Sequence, residues 1–154
     1  HLGGQLGRPV CEDDVESGTW LLAQMGDGHS ATDYAKAQSL MATFRRNMAA
    51  WWEEGFDLLV TPTTAQPPPL LGDLTPTEDD PLRASKRSMP YAAFTSPFNT
   101  TGQPAISLPM GSSGGLPVGA QIVAAYGRED VLIAVGSQLE DEVRWSENRA
   151  PIHA

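Results

Sequence analysis

The 154-residue sequence has one cysteine, two lysines and three histidines. A lone Cys11 excludes an intrachain disulfide framework and a thiolate zinc site. Of the histidines, His1 and His153 stand at the termini, where order is poor, which leaves only His29. No metal and no cofactor is expected. Basic charge is also scarce: the formal net charge is -9, and the only small basic groups are Arg45-Arg46 and Arg83, Lys86 and Arg87. A nucleic-acid binder needs a basic face to displace counterions, so neither nucleic acid nor an anionic membrane is an expected partner. The acidic groups, such as Glu78-Asp79-Asp80, lack the spacing of a calcium loop. No apolar run approaches the roughly 20 residues a membrane helix needs, and no signal peptide is visible. The cytoplasm is the expected compartment. The chain starts at His1 instead of Met, so the natural N-terminus is expected to lie upstream.

Aromatics are few at 7%, while 13 prolines and 15 glycines predict much loop. A chain this long can bury roughly 68–70% of its unfolded surface. The loop content is nevertheless high for a free-standing domain. It fits one segment, residues 1–154, of a larger protein, some of whose surfaces pack against absent chain.

Residues 1–11 read as irregular, and a helix is expected over about residues 12–25, with acids in its first turn and Gly26 as its stop. The clearest element is a helix over about residues 31–54. Ser30 and Asp33 form a capping-box-like start. Tyr34, Ala37, Met41, Phe44, Met48 and Trp52 share one face, which is expected to be core. Phe56-Asp57-Leu58-Leu59-Val60-Thr61 predicts a strand buried on both faces of a parallel or mixed sheet. Residues 62–88, with Pro67-Pro68-Pro69, predict a long surface segment. A short helix over about residues 90–95 is expected to end at Pro97. Two alternating runs, residues 105–110 and 116–123, predict strands joined by a loop at residues 111–115, and their prolines require unused amide positions in the ladder. A final helix is expected over about residues 129–143, with Val131, Leu132, Val135 and Leu139 on one side, followed by an irregular tail from Trp145. The ensemble predicts an α/β fold, a few strands flanked by helices.

Gly111-Ser112-Ser113-Gly114-Gly115 matches the nucleophile-elbow pattern, which would make Ser112 or Ser113 a nucleophile and the chain a free-standing serine hydrolase. An elbow needs a following helix to stabilise the oxyanion. Here Leu116-Pro117-Val118-Gly119 follows, which reads as a strand, so a hairpin tip is the favoured reading. Lys36 and Lys86, the only lysines, read as solvated surface and not as the desolvated base a serine–lysine mechanism requires.

Three segments, in order and at fitting spacing, carry a family resemblance. They are Phe56-Asp57-Leu58-Leu59-Val60-Thr61-Pro62-Thr63, then Asn99-Thr100-Thr101-Gly102-Gln103-Pro104-Ala105-Ile106-Ser107-Leu108-Pro109, and Gly115-Leu116-Pro117-Val118-Gly119-Ala120-Gln121-Ile122-Val123. Together they resemble the C-terminal part of amidase-signature enzymes. The resemblance implies an α/β/α fold with a mixed sheet. It also implies a parent that hydrolyses a carboxamide through an acyl-enzyme, with a serine nucleophile, a second serine in a cis peptide and a lysine base. All three would lie in the N-terminal two-thirds of the family pattern, and no position here matches any of them, so no catalytic residue is assigned. The expected partners are that missing N-terminal portion, a small-molecule amide, and a second copy of the chain as a candidate. A non-catalytic assembly module is the remaining alternative.

In such a parent this region would complete the sheet and supply one wall of the acyl-side pocket. The expected wall is residues 91–99, with Tyr91, Phe94, Thr95, Phe98 and Asn99. Phe94 and Phe98 fit an apolar substrate group and equally fit core packing. Asn99 is placed to bond substrate, although tying down the following turn is the favoured role. Subunits that release ammonia from glutamine for tRNA-dependent amidation tend to carry an acid on this segment. The aligned position here is Ala92, which favours neutral aryl or alkyl amides.

Overall fold

Alternation of apolar residues in two runs, joined by Gly114-Gly115, sets the centre of the fold. In the computed structural model, which describes residues 2–148, β2 (Ala105–Ser113) and β3 (Leu116–Ala124) form an antiparallel hairpin. Both turn glycines have positive φ, 59° and 80°, the backbone that a two-residue hairpin turn matching strand twist requires. The ladder reaches Ser113 opposite Leu116, so the expected five-residue loop is in fact a two-residue turn. Between Pro109 and Gly111 the register shifts in a bulge, which relieves the ladder where proline has no N–H to donate.

β1 (Leu58–Pro62) pairs antiparallel with β3, giving the order β1-β3-β2. Here the structure corrects the expectation of a strand buried on both faces of a parallel or mixed sheet: among the described residues every strand pairing is antiparallel. β1 lies at an edge, and Val60 is exposed. A run of apolar residues specifies burial without specifying which chain supplies it. α6 (Glu129–Val143) forms where a final helix was expected and covers the sheet face that carries Leu58, Ile106, Leu108 and Ile122. Leu132 is buried with Leu108, Ile122 and Ala124, and Val135, Leu139 and Leu58 pack around them. Trp145 also packs against this cluster, in a 3-10 turn, Trp145–Glu147, instead of an irregular tail. His1 and His153 lie outside the described residues.

Two compact units divide the chain: one takes residues up to Ser39 together with Pro69–Met89, and the other takes Leu40–Pro68 and the residues from Pro90 onward. The first contains α1 (Leu2–Leu6), where no helix was expected, α2 (Ser17–Asp27) and the start of α3 (Ala31–Glu53). The expected helix over residues 12–25 is broken. The Arg8 guanidinium bonds both Asp14 oxygens at 2.6 and 2.7 Å, and the Cys11 N–H adds a third bond at 2.8 Å. These bonds hold the Asp14 carboxyl well below its usual range. They also commit the acidic run to its own 3-10 turn, Glu12–Asp14, so α2 starts afresh at Ser17. The segment after β1 is not wholly extended: α4 (Arg83–Ser88) lies in it, and Arg83 and Arg87 both donate to the Asp73 carbonyl.

α3 begins as its capping box predicts. The Asp33 N–H donates to Ser30 Oγ at 3.2 Å, and the Ser30 N–H and hydroxyl donate to the Asp33 carboxylate at 3.1 and 2.6 Å. Its apolar face is a different matter. None of its 23 residues is fully buried. On the expected core face Met41, Met48 and Trp52 are half-buried, whereas Tyr34 is 67% exposed and Phe44 is also open; beside that face Leu40 is 72% exposed. The expected core face is thus only partly covered among the described residues.

Candidate functional site

The segment proposed from sequence as a pocket wall, residues 91–99, is positioned by proline and glycine chemistry. A 3-10 turn, Met89–Ala92, leads through a turn to α5 (Ser96–Thr101). Pro97 does not end a helix at residue 95. It occupies the first turn of α5, where its missing N–H costs nothing. Gly102, at φ 76°, closes α5 by donating to the Phe98 carbonyl at 2.8 Å, an ordinary left-handed stop.

Within this segment the five candidate residues separate. Phe98 is buried at 8% exposure, whereas Phe94 is 37% exposed. The Tyr91 carbonyl accepts from the Ala65 N–H at 3.4 Å, just beyond β1. The Thr95 hydroxyl donates back to the Ala92 carbonyl at 3.3 Å, and the Thr95 carbonyl accepts the N–H groups of Phe98 and Asn99. Asn99 is exposed, and its side chain bonds no turn group among the described residues. The turn it was expected to secure is held instead by the Thr101 hydroxyl, which donates to Gln103 Oε1 at 2.9 Å.

The residue that joins this segment to the sheet is Gln121. It is 5% exposed and stands in β3 opposite both Thr61 and Ser107. Its amide donates to Thr61 Oγ1 at 3.0 Å and to the Phe94 carbonyl at 2.8 Å. A buried amide is costly unless bonded, and here both donors are used. A single polar residue in the apolar run 120–124 was the signal available in the sequence; its partner, 27 residues away, was not. On the same sheet face Thr63 Oγ1 and Ser107 Oγ lie 2.7 Å apart. One sheet face therefore carries apolar packing against α6, and the other a row of hydroxyl and amide groups.

A separate cavity of about 520 Å³ opens near the end of α3, lined by Arg45, Trp52, Glu53, Thr101, Gln103 and Tyr126 among others. The Arg45 Nε–H donates to the Thr100 carbonyl at 2.7 Å. Trp52 Nε1 is buried without a hydrogen-bond partner among the described residues. None of the five wall candidates lines this cavity.

Ser112 and Ser113 pair with Pro117 and Leu116 at the end of the hairpin, exposed and with no helix following. Lys36 stands 3.9 Å from Asp33, and Lys86 stands 2.7 Å from Asp80, both at the surface. The carboxyls with lowered pKa are Asp14, Asp33 and Asp130. Each answers to an exposed ion pair or cap, the last to Arg128 at 2.9 Å. Among the described residues no group of three or more His, Cys, Asp or Glu is placed to hold a metal ion. No helix among them is long and apolar enough to cross a membrane.

This α/β arrangement is shared with known proteins. The Amidase family model matches residues 10–133, and the chain belongs to this family. It is 41% identical over 153 residues to the 6-aminohexanoate-cyclic-dimer hydrolase of Paenarthrobacter ureafaciens, covering 96% of this chain and 31% of that protein. It is 42% identical to the enzyme of the same name from Pseudomonas sp. (strain NK87), with the same coverage. A solved structure of 6-aminohexanoate cyclic dimer hydrolase superposes with a TM-score of 0.87 at 41% identity, covering 97% of this chain and 32% of that one. The chain thus spans about a third of the length of the relatives it matches.

Proposed function

We propose that this chain is the C-terminal segment, residues 1–154 as one unit, of a cytoplasmic amidase that hydrolyses uncharged carboxamides. The coverage carries this reading: nearly the whole chain aligns, over only 31% of the relative. One structural fact supports it. Tyr34, Leu40 and Phe44 of α3 stay exposed, as a surface meant for more of the same protein would be. The reading assigns a serine–serine–lysine set to the remainder of the polypeptide.

The role of this segment is then to extend the central sheet and to form one side of the substrate pocket with Tyr91, Phe94, Thr95, Phe98 and Asn99. The run Tyr91-Ala92-Ala93-Phe94-Thr95 carries no charge, so it has nothing with which to hold a substrate ammonium and suits a neutral amide. The relatives' name points the same way, since a cyclic dimer of 6-aminohexanoate is an uncharged diamide. Water adds across such a ring amide to give a carboxylate and an ammonium on one molecule, whereas a primary carboxamide releases free ammonia. The test is to assay the full-length polypeptide for both products, with a cyclic diamide and with aryl and alkyl primary amides. Turnover of a neutral amide is expected, and none by residues 1–154 alone. Failure of every amide with the full-length polypeptide would sink the reading.

A further inference from the structure

The segment containing residues 92–95 holds itself together by short-range bonds, such as that from the Thr95 N–H to the Ala92 carbonyl at 3.2 Å. Such bonds fix its shape but not its distance from the sheet. Two bonds between residues distant in the chain set that distance. The first, from the Ala65 N–H to the Tyr91 carbonyl, is long at 3.4 Å and reaches only the loop beyond β1. The second is the 2.8 Å bond from the Gln121 amide to the Phe94 carbonyl. It comes from the central strand of the sheet, and the donor is itself held by Thr61 Oγ1 at 3.0 Å. The acceptor belongs to Phe94, the half-open aromatic of the wall.

We propose that Gln121 is a positioning residue for amide hydrolysis, fixing residues 91–95 against the sheet and so setting the affinity of the pocket for substrate. This rests on the reading of residues 91–99 as a pocket wall. Gln121 touches no reacting atom in this account. It acts through the Phe94 backbone, so its loss weakens binding more than chemistry.

The test uses the full-length polypeptide with a neutral cyclic diamide. Gln121→Met keeps the length of the side chain and removes both donors. KM is expected to rise about tenfold, with kcat changed by less than about threefold. Amides in residues 91–95 are expected to exchange hydrogen about tenfold faster, with protection in β3 unchanged. Should that variant fail to fold, Gln121→Asn keeps the amide one methylene shorter, out of reach of one acceptor, and is expected to show the same changes at smaller size. A variant with lower thermal stability but unchanged KM and unchanged exchange at residues 91–95 would overturn the proposal and leave Gln121 a core residue only. If the wild type turns over no amide, the proposed function fails. The exchange arm then decides alone: unchanged exchange at residues 91–95 overturns the tether, and faster exchange supports it.

Discussion

Thr63 Oγ1 and Ser107 Oγ meet at 2.7 Å directly over the backbone of Gly119. A methyl group on Gly119 would lie 2.7 Å from Thr63 Oγ1, 3.2 Å from Thr63 Cβ and 3.1 Å from Ser107 Oγ. The Thr63 N–H also donates to the Gly119 carbonyl at 3.0 Å, so the two backbones are tied at this point. Thr63 is β-branched and stiff, and rotating it away would break its bond to Ser107. Gly119→Ala is therefore expected to cost about 1–3 kcal/mol, as overpacked sites do, read as a lower urea midpoint with an unchanged slope. Gly119→Ala with wild-type stability would show that this edge of the sheet yields easily.

Ser112→Ala and Ser113→Ala are expected to change nothing that matters to catalysis. Both side chains stand on an exposed hairpin end, where substitutions usually stay within about 0.5 kcal/mol. In the full-length polypeptide each variant is expected to retain wild-type turnover and wild-type labelling by a fluorophosphonate. Loss of labelling in either one would make the hairpin a reaction site.

The start of α3 gives a pH prediction. Hydrogen bonds from the Ser30 hydroxyl, then from the Ser30 N–H, lower the Asp33 carboxyl from its ordinary value. A carboxyl whose folded value is depressed contributes stability that is full above its unfolded value of about 3.9 and is lost as pH falls through the folded one. The first turn of α3 is thus expected to fray below about pH 4, seen as faster exchange of the amides following Ser30. Ser30→Ala removes the cap at a cost of about 1 kcal/mol. It is expected to fray the turn at neutral pH too, so acid adds little further. An acid response as large in Ser30→Ala as in the wild type would place the sensitive group elsewhere.

How much of this was legible in the sequence depended on whether the partner of each residue lay nearby in the chain. The hairpin, α6 and the Ser30–Asp33 cap rest on local periodicity and capping, and the structure has each of them. Asp14 reads as a helix starter until Arg8 claims it. Pro97 reads as a terminator, although proline is equally at home in a first turn. Phe94 and Phe98 are indistinguishable in sequence, yet one is buried and the other half-open. Gln121 reads as an odd polar residue until Thr61 and Phe94 are brought to it from distant points in the chain. The face of α3 was correctly seen as apolar, but periodicity cannot tell which chain will cover it.

The exposed apolar residues of α3 supply the last prediction. Leu40 and Phe44, one helical turn apart on α3, are both exposed, and burying each against a partner is worth about 1.5–3 kcal/mol. Residues 1–154 alone are therefore expected to bind a hydrophobic dye and to sediment as more than a monomer at tens of micromolar, on the order of what such an apolar stripe drives. Leu40→Glu with Phe44→Glu is expected to weaken that association at least about tenfold, since two apolar contacts are lost and two like charges are set face to face. The same pair in the full-length polypeptide is expected to lower stability, because under the proposed function this side of α3 packs against the remainder of the polypeptide. If residues 1–154 stay monomeric and dye-silent while the double variant leaves the full-length polypeptide as stable as before, then α3 is a solvent-facing helix in both settings. The remainder of the amidase would in that case have to dock elsewhere, along the free edges of β1 and β2.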